Sequence, residues 1–189
     1  MMLFDEIRPR LKVHKGVYKP LLEAKMMSGL VERYARGKVL DLGTGTGIQG
    51  IIAALKGCDV TFSDIKPEAV ECARANANAL GLDGRFLVSD VFSKIRGKYN
   101  LITFNIPYLA SESIDSGETE PNTDGGIGGR ELIDRFLGSY KRYVAKDHDV
   151  LMSESYWNHY ENDVRRLHAE VAAKKHYPLL GDIVILRFK

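Results

Sequence analysis

KVLDLGTGTGIQGIIAALKG, Lys38 to Gly57, passes from an apolar run through spaced glycines into a stretch with helical periodicity. KVLDL suits a buried strand and GIQGIIAALKG a helix, with the glycines as the turn between them. Strand, tight turn and helix in this order open a crossover unit, which requires a parallel strand beyond the helix. The same alternation continues: CDVTFSD leads to PEAVECARANANALG, and RFLVSD and YNLITF follow. Pro67 fits a first helical turn, and Gly81 fits the left-handed residue after Leu80. The pattern predicts an α/β fold with a doubly wound, mostly parallel sheet.

On either side of this region the periodicity extends the fold. PLLEAKMMSGLVERYA predicts a helix before the first strand. RELIDRFLGSYKRYV predicts a helix with Leu132, Ile133, Phe136, Leu137, Tyr140 and Val144 on one face, followed by the strand DVLMSE. A further helix carries Trp157, Tyr160, Val164 and Leu167 at core spacing. VAAKKHYP and DIVILRFK, joined through Pro178 and Gly181, read as an antiparallel pair. The expected sheet has seven strands, one of them antiparallel and near an edge. At 189 residues the chain is expected to form one domain over 1–189, with a helical lead-in over about 1–36.

Composition excludes several classes. Hydrophobic residues make up 44% and charged residues 28%, an ordinary globular balance, and no stretch reaches the roughly 20 apolar residues of a membrane span. MMLFDEIRPRLKVHKG lacks the apolar core of a signal peptide, so the expected compartment is the cytoplasm. Cys58 and Cys72 form no CxxC, and His159 and His168 stand nine positions apart, so no metal is expected. A net charge of +2 does not mark a nucleic-acid protein. Residues 105–129 carry Glu112, Asp115, Glu118, Glu120 and Asp124 with no lysine or arginine, a segment that repels phosphate. The basic arm Arg8, Arg10, Lys12, Lys15 and Lys19 keeps nucleic acid as a lesser alternative.

The glycine loop has two readings. Gly45, Gly47 and Gly50 satisfy G-x-G-x-x-G, and Asp64 lies 19 residues beyond Gly45, as a dinucleotide site requires. Yet Gly43 already occupies the strand end, and Asp41 just before it repels a pyrophosphate. An acid there suits S-adenosylmethionine, whose methionine end carries an ammonium and a sulfonium. Asp64 closes the second strand, where it can accept both ribose hydroxyls, and Ile65 can cover one adenine face. Asp90 and Val91 at the third strand end can accept from the adenine amino group and cover the other face.

Asn105 to Tyr108, NIPY, then decides the chemistry. DLGTGTG, SDIKPEA, SDVF and NIPY, in this order, resemble a class I S-adenosylmethionine-dependent methyltransferase, with Asp41, Gly43, Thr44, Gly45 and Gly47 in its donor loop and Asn105 also beside the donor. NIPY is similar to the N-P-P-Y signature of enzymes that methylate planar nitrogens. DGGIGGRELIDRFL and VYKP further resemble the HemK-related glutamine methyltransferases that modify translation release factors, in their shorter archaeal and eukaryotic form. The resemblance implies that Asn105 supplies a side-chain oxygen, Ile106 a backbone carbonyl, Pro107 the rigid turn, and Tyr108 a ring against the planar acceptor. Here Ile106 replaces the family's first proline, and Glu23 and Ala24 stand where it has an acid and a hydroxyl residue. The DGGIGG run reads as a lid over the acceptor or as a lead into the next helix. The resemblance also implies a protein acceptor, the release factor, and a small zinc-binding activator on the edge strand Arg85 to Ser89. The alternatives are an RNA or DNA adenine N6-methyltransferase, a non-catalytic binding subunit and, more distantly, a nicotinamide oxidoreductase.

Overall fold

Alternate residues of a strand face opposite ways, and the central strands sort their side chains into two apolar layers accordingly. In a computed structural model that describes residues 2–106, 130–178 and 181–189, three strands form the middle: β1 (Lys38–Leu42), β4 (Tyr99–Phe104) and β5 (Val144–Ser155). Leu40, Ile102, Val150 and Met152 face one layer, where α5 (Glu131–Leu137) adds Ile133 and Phe136. Val39, Leu101 and Leu151 face the other, against Val31 of α2 (Leu22–Tyr34), Ile51 and Ile52 of α3 (Ile48–Leu55) and Ala73 of α4 (Pro67–Ala79). A short α1 (Leu3–Ile7) packs on this second layer through Phe4 and Ile7. The pattern has a consequence for the site: Asp41 and Thr103 share the α3 side, and Glu154 shares the α5 side.

The strands β2 (Asp59–Asp64), β3 (Arg85–Val88), β6 (Glu170–Tyr177) and β7 (Gly181–Phe188) complete one sheet of order β3-β2-β1-β4-β5-β7-β6. All pairings are parallel except those of β7, which runs antiparallel to both neighbours. This is the seven-stranded arrangement expected from the sequence, with β3 at one edge. Strand order reverses at β1, and the carboxyl ends of β1 and β4 flank the crevice where such sheets bind ligands. Among the described residues no helix is long and apolar enough to cross a membrane.

Close packing fixes the first turn of α3. A Cβ on Gly50 would fall 2.3 Å from the Phe62 ring, which is itself stacked on Phe86 at 4.6 Å and crowded by Gly84. The ring therefore has nowhere to retreat. Gly50→Ala is expected to lower stability by about 1–3 kcal/mol, read as a lower urea midpoint at unchanged m.

Two expectations need correction. The helix over RELIDRFLGSYKRYV stops at Leu137; Tyr140–Arg142 form a 3-10 turn and Val144 opens β5, five residues before DVLMSE begins. The Tyr143 carbonyl accepts from the Tyr99 N–H at 2.8 Å, so the chain is already pairing with β4 there. Val144 thus belongs to the sheet and not to the helix face. Trp157 is 57% exposed, not in the core. It lies in a 3-10 turn, Tyr156–Asn158, and His159 at φ 56 interrupts the chain before α6 (Tyr160–Leu167) restarts the helical phase.

Candidate active site

A cleft of about 390 Å³ opens at the carboxyl ends of the parallel strands. Gly43 to Thr46 follow β1, Asp64 to Lys66 end β2, Ser89 to Val91 follow β3, and Phe104 to Ile106 end β4. From the amino-terminal arm come Gly16, Val17, Tyr18 and Pro20, and from α2 come Glu23 and Ala24; Glu131, Leu132 and Arg135 of α5 form another wall. Of the sequence candidates, Asp41, Gly43, Thr44, Gly45, Asp64, Ile65, Asp90, Val91, Asn105 and Ile106 all line this one cleft. Gly47 stands behind it and turns the chain into α3 at φ 86. Pro107, Tyr108, the acidic stretch from Glu112 to Asp124 and the DGGIGG run lie outside the described residues.

Asp41 holds the loop together. Its Oδ2 accepts from the Thr44 hydroxyl at 2.6 Å and from the Gly50 N–H at 3.0 Å, and its Oδ1 accepts from the Thr103 hydroxyl at 3.1 Å. Burial pushes its carboxyl up to about 6 against the pull of those donors. Asp64 does the same one strand over, accepting from the Gly45 N–H and the Lys66 N–H, each at 3.0 Å. Burial raises its pKa as well. Asp64 also lines the cleft, and a carboxylate has more acceptor sites than these donors fill. Gly45, at φ 53, has no atom within 4 Å of where a Cβ would stand, so the loop leaves an open cradle there.

Two features of the wall suit a flat ligand. Ile65 is 59% exposed, a large apolar side chain left in solvent at the cleft. Val91 adopts φ 43, a costly conformation for a β-branched residue, and one that persists where surroundings impose it. Asp90 beside it is paired with Arg135, Nη2 to Oδ2 at 2.6 Å. Nothing in the sequence marked Arg135, because its partner lies 45 positions away.

At the end of β4, the Asn105 Oδ1 is buried and has no hydrogen-bond partner among the described residues. Native structures rarely leave such an atom unpaired. The Ile106 carbonyl accepts from the Ser153 hydroxyl at 3.5 Å, the outer limit of such a contact. The Ile106 side chain is fully buried in the α5 layer, which gives the branched residue a packing role alongside its carbonyl. The amino-terminal arm closes the opposite side: the Tyr18 hydroxyl bonds to Glu23, and Gln49 Nε2 donates to the Ala24 carbonyl at 2.9 Å while Gln49 Oε1 accepts from the Ser28 hydroxyl at 3.0 Å.

Residues 23–119 match the family of the methyltransferase small domain. A Methanocaldococcus jannaschii protein, provisionally named a protein N5-glutamine methyltransferase, is 34% identical over 149 residues, covering 77% of this chain and 76% of that protein. The release factor glutamine methyltransferase of Deinococcus radiodurans is 38% identical over 96 residues, 50% of this chain and 34% of that protein. Ribosomal RNA small subunit methyltransferase C of Serratia proteamaculans is 26% identical over 174 residues, 80% of this chain and 47% of that protein. The chain thus spans less than half the length of the latter two. Among solved structures, Mtq2 in the E. cuniculi Mtq2–Trm112 complex, responsible for methylation of the termination factor eRF1, shares the fold at a TM-score of 0.68 and 23% identity, over 92% of this chain and 98% of that one. By the family match and by its identity across three quarters of the Methanocaldococcus protein, the chain belongs to the methyltransferase small-domain family.

Proposed function

We propose that the chain transfers a methyl group from S-adenosylmethionine to the side-chain amide nitrogen of a glutamine in a translation release factor. The carrying observation is that Asn105 and Ile106 line the cleft and that the buried Asn105 Oδ1 has no hydrogen-bond partner among the described residues. An amide nitrogen is a poor nucleophile because its lone pair is delocalised. Two acceptors that hold its two hydrogens turn that lone pair outward and favour the positive charge that develops on nitrogen. An unpaired buried acceptor costs roughly 1–3 kcal/mol, and an incoming NH2 group removes that cost. The provisional name of the Methanocaldococcus relative and that of the Deinococcus relative support the same acceptor.

The cleft suits the donor. Asp64 can take ribose hydroxyls, Ile65 and Val91 the two faces of an adenine, and Asp90 its amino group. The open cradle at Gly45 admits close backbone approach, with Gly43 and Thr44 beside it and Gly47 turning the loop behind. Asp41 and Glu23 place carboxylates where a cationic methionine end is favoured. The bound donor supplies an electrophilic methyl on a sulfonium. The protein's part is positioning: Asn105 and Ile106 orient the amide, Pro107 and Tyr108 complete the motif, and the proton is shed afterwards without a strong base.

Asp41→Asn tests the electrostatic share. The amide can point its oxygen at Gly50 and Thr44 and its NH2 at the Thr103 hydroxyl, so the variant is expected to fold. Its affinity for S-adenosylhomocysteine at pH 7.5 should fall roughly tenfold through loss of the charge facing the ammonium. An unchanged Kd by calorimetry restricts Asp41 to holding the loop.

A second reading, an adenine N6-methyltransferase on nucleic acid, is favoured by one observation. Arg10, Lys12, Lys15 and Lys19 are exposed on the arm whose next residues line the cleft. Methylation of purified release factor, its glutamine-substituted variant and total RNA, run side by side, decides: label on the factor that vanishes with the glutamine supports the first reading, and label on RNA alone refutes it. For the partner, β3 pairs with β2 alone among the described residues, and an edge of this kind can receive a small zinc-binding subunit. Full activity of a monomer purified alone would refute that partner.

A further inference from the structure

Arg130 lies outside the cleft, and nothing in the reaction above uses it. Its Nη1 donates to the Asn158 carbonyl at 2.9 Å, to Glu154 at 3.4 Å and to Asp163, and its Nη2 donates to Asp134 at 2.7 Å. Glu154 and Asp163 are buried, and the guanidinium itself is only a quarter exposed. A buried cluster this dense is a poor source of stability, since apolar residues fill such space at lower cost. Its use therefore needs another explanation.

The location supplies one. Arg130 precedes the first turn of α5, a seven-residue helix with no side-chain cap, and Glu131, Leu132 and Arg135 of that helix form one wall of the cleft. Glu154 follows Ser153, whose hydroxyl contacts the Ile106 carbonyl. Consecutive residues of β5, facing opposite sides of the sheet, thus hold the acceptor clamp and the opposing wall. We infer that Arg130 is a positioning residue for methyl transfer: clasped by Glu154 and Asp163, it locks the start of α5, and hence the cleft wall, in register with Asn105 and Ile106. The activity arm of the test rests on the methyl-transfer reading; the anchoring itself does not.

Arg130→Gln alone leaves Asp163 buried against Glu154 with no fork between them, so misfolding could mask any effect on activity. Arg130→Gln/Asp163→Asn removes both charges and restores neutrality. In this double variant, amides of residues 132–138 are expected to exchange hydrogen at least tenfold faster. Turnover at saturating donor and acceptor, well below the melting temperature, is expected to fall at least tenfold. Unchanged exchange overturns the inference. So does faster exchange with turnover within twofold of wild type, since a purely structural cluster would behave that way. A wild-type chain that methylates no acceptor refutes the proposed function instead. Affinity for S-adenosylhomocysteine then replaces turnover, because Arg135 ties the same helix to Asp90: fivefold weaker binding supports the anchor, and unchanged binding overturns it.

Discussion

Asn105→Ala is expected to lower kcat for methyl transfer by about 10²- to 10³-fold, the loss typical of removing one preorganised partner from a reacting polar group. Donor affinity should change little, because the donor's ribose and adenine are assigned to Asp64, Ile65, Asp90 and Val91. Stability should move the other way. The Asn105 Oδ1 has no partner among the described residues, so alanine removes a buried orphan and replaces it with nothing that needs one. A melting temperature equal to or above wild type, with S-adenosylhomocysteine binding kept and turnover lost, is the signature of an atom held for substrate. Turnover above a tenth of wild type would remove Asn105 from the clamp.

What the sequence revealed and what it hid divide along one physical line. The strands, the glycine loop and the strand-end carboxylates are legible because local pattern dictates them: apolar runs alternating with helical periodicity mark a parallel sheet, and a parallel sheet brings its strand ends together. Asp64 and Asn105 reach one cleft through the sheet alone. The helix boundaries near Gly138 and Trp157 were misread for a related reason. Apolar periodicity continues through both, but the Tyr143 carbonyl is claimed by Tyr99 in one case, and His159 turns left-handed in the other. Arg130 and Arg135 were invisible because their partners are set by tertiary packing across α5, α6 and the sheet. A lone arginine on a helix reads as a solvated face until its carboxylates are placed.

The largest stability effect expected lies in that same cluster. Burial, reinforced by Asp163, pushes the Glu154 carboxyl up to about 8, against an ordinary value near 4.5. Its Oε1 meets no donor among the described residues, and a carboxyl facing Asp163 is best accommodated with a proton between them. Between the two values the folded chain holds a proton that the unfolded chain has released, so stability falls as pH rises from about 4.5 to 8. Asp41, at about 6, adds the same sign over a narrower window. Glu154→Gln mimics the protonated acid: its NH2 can donate to Asp163 and its oxygen can accept from Arg130. The variant should match wild type near pH 4.5 and exceed it at pH 9 by on the order of 2–4 kcal/mol, or roughly 5–10 °C in melting temperature. Asp41 titrates in both proteins and cancels in the difference, so the gap between the two melting curves isolates Glu154. Equal melting temperatures at pH 9 would mean that Arg130 compensates an ionised Glu154 in full. Both carboxylates would then be ionised around Arg130, with no proton for Glu154 to lose.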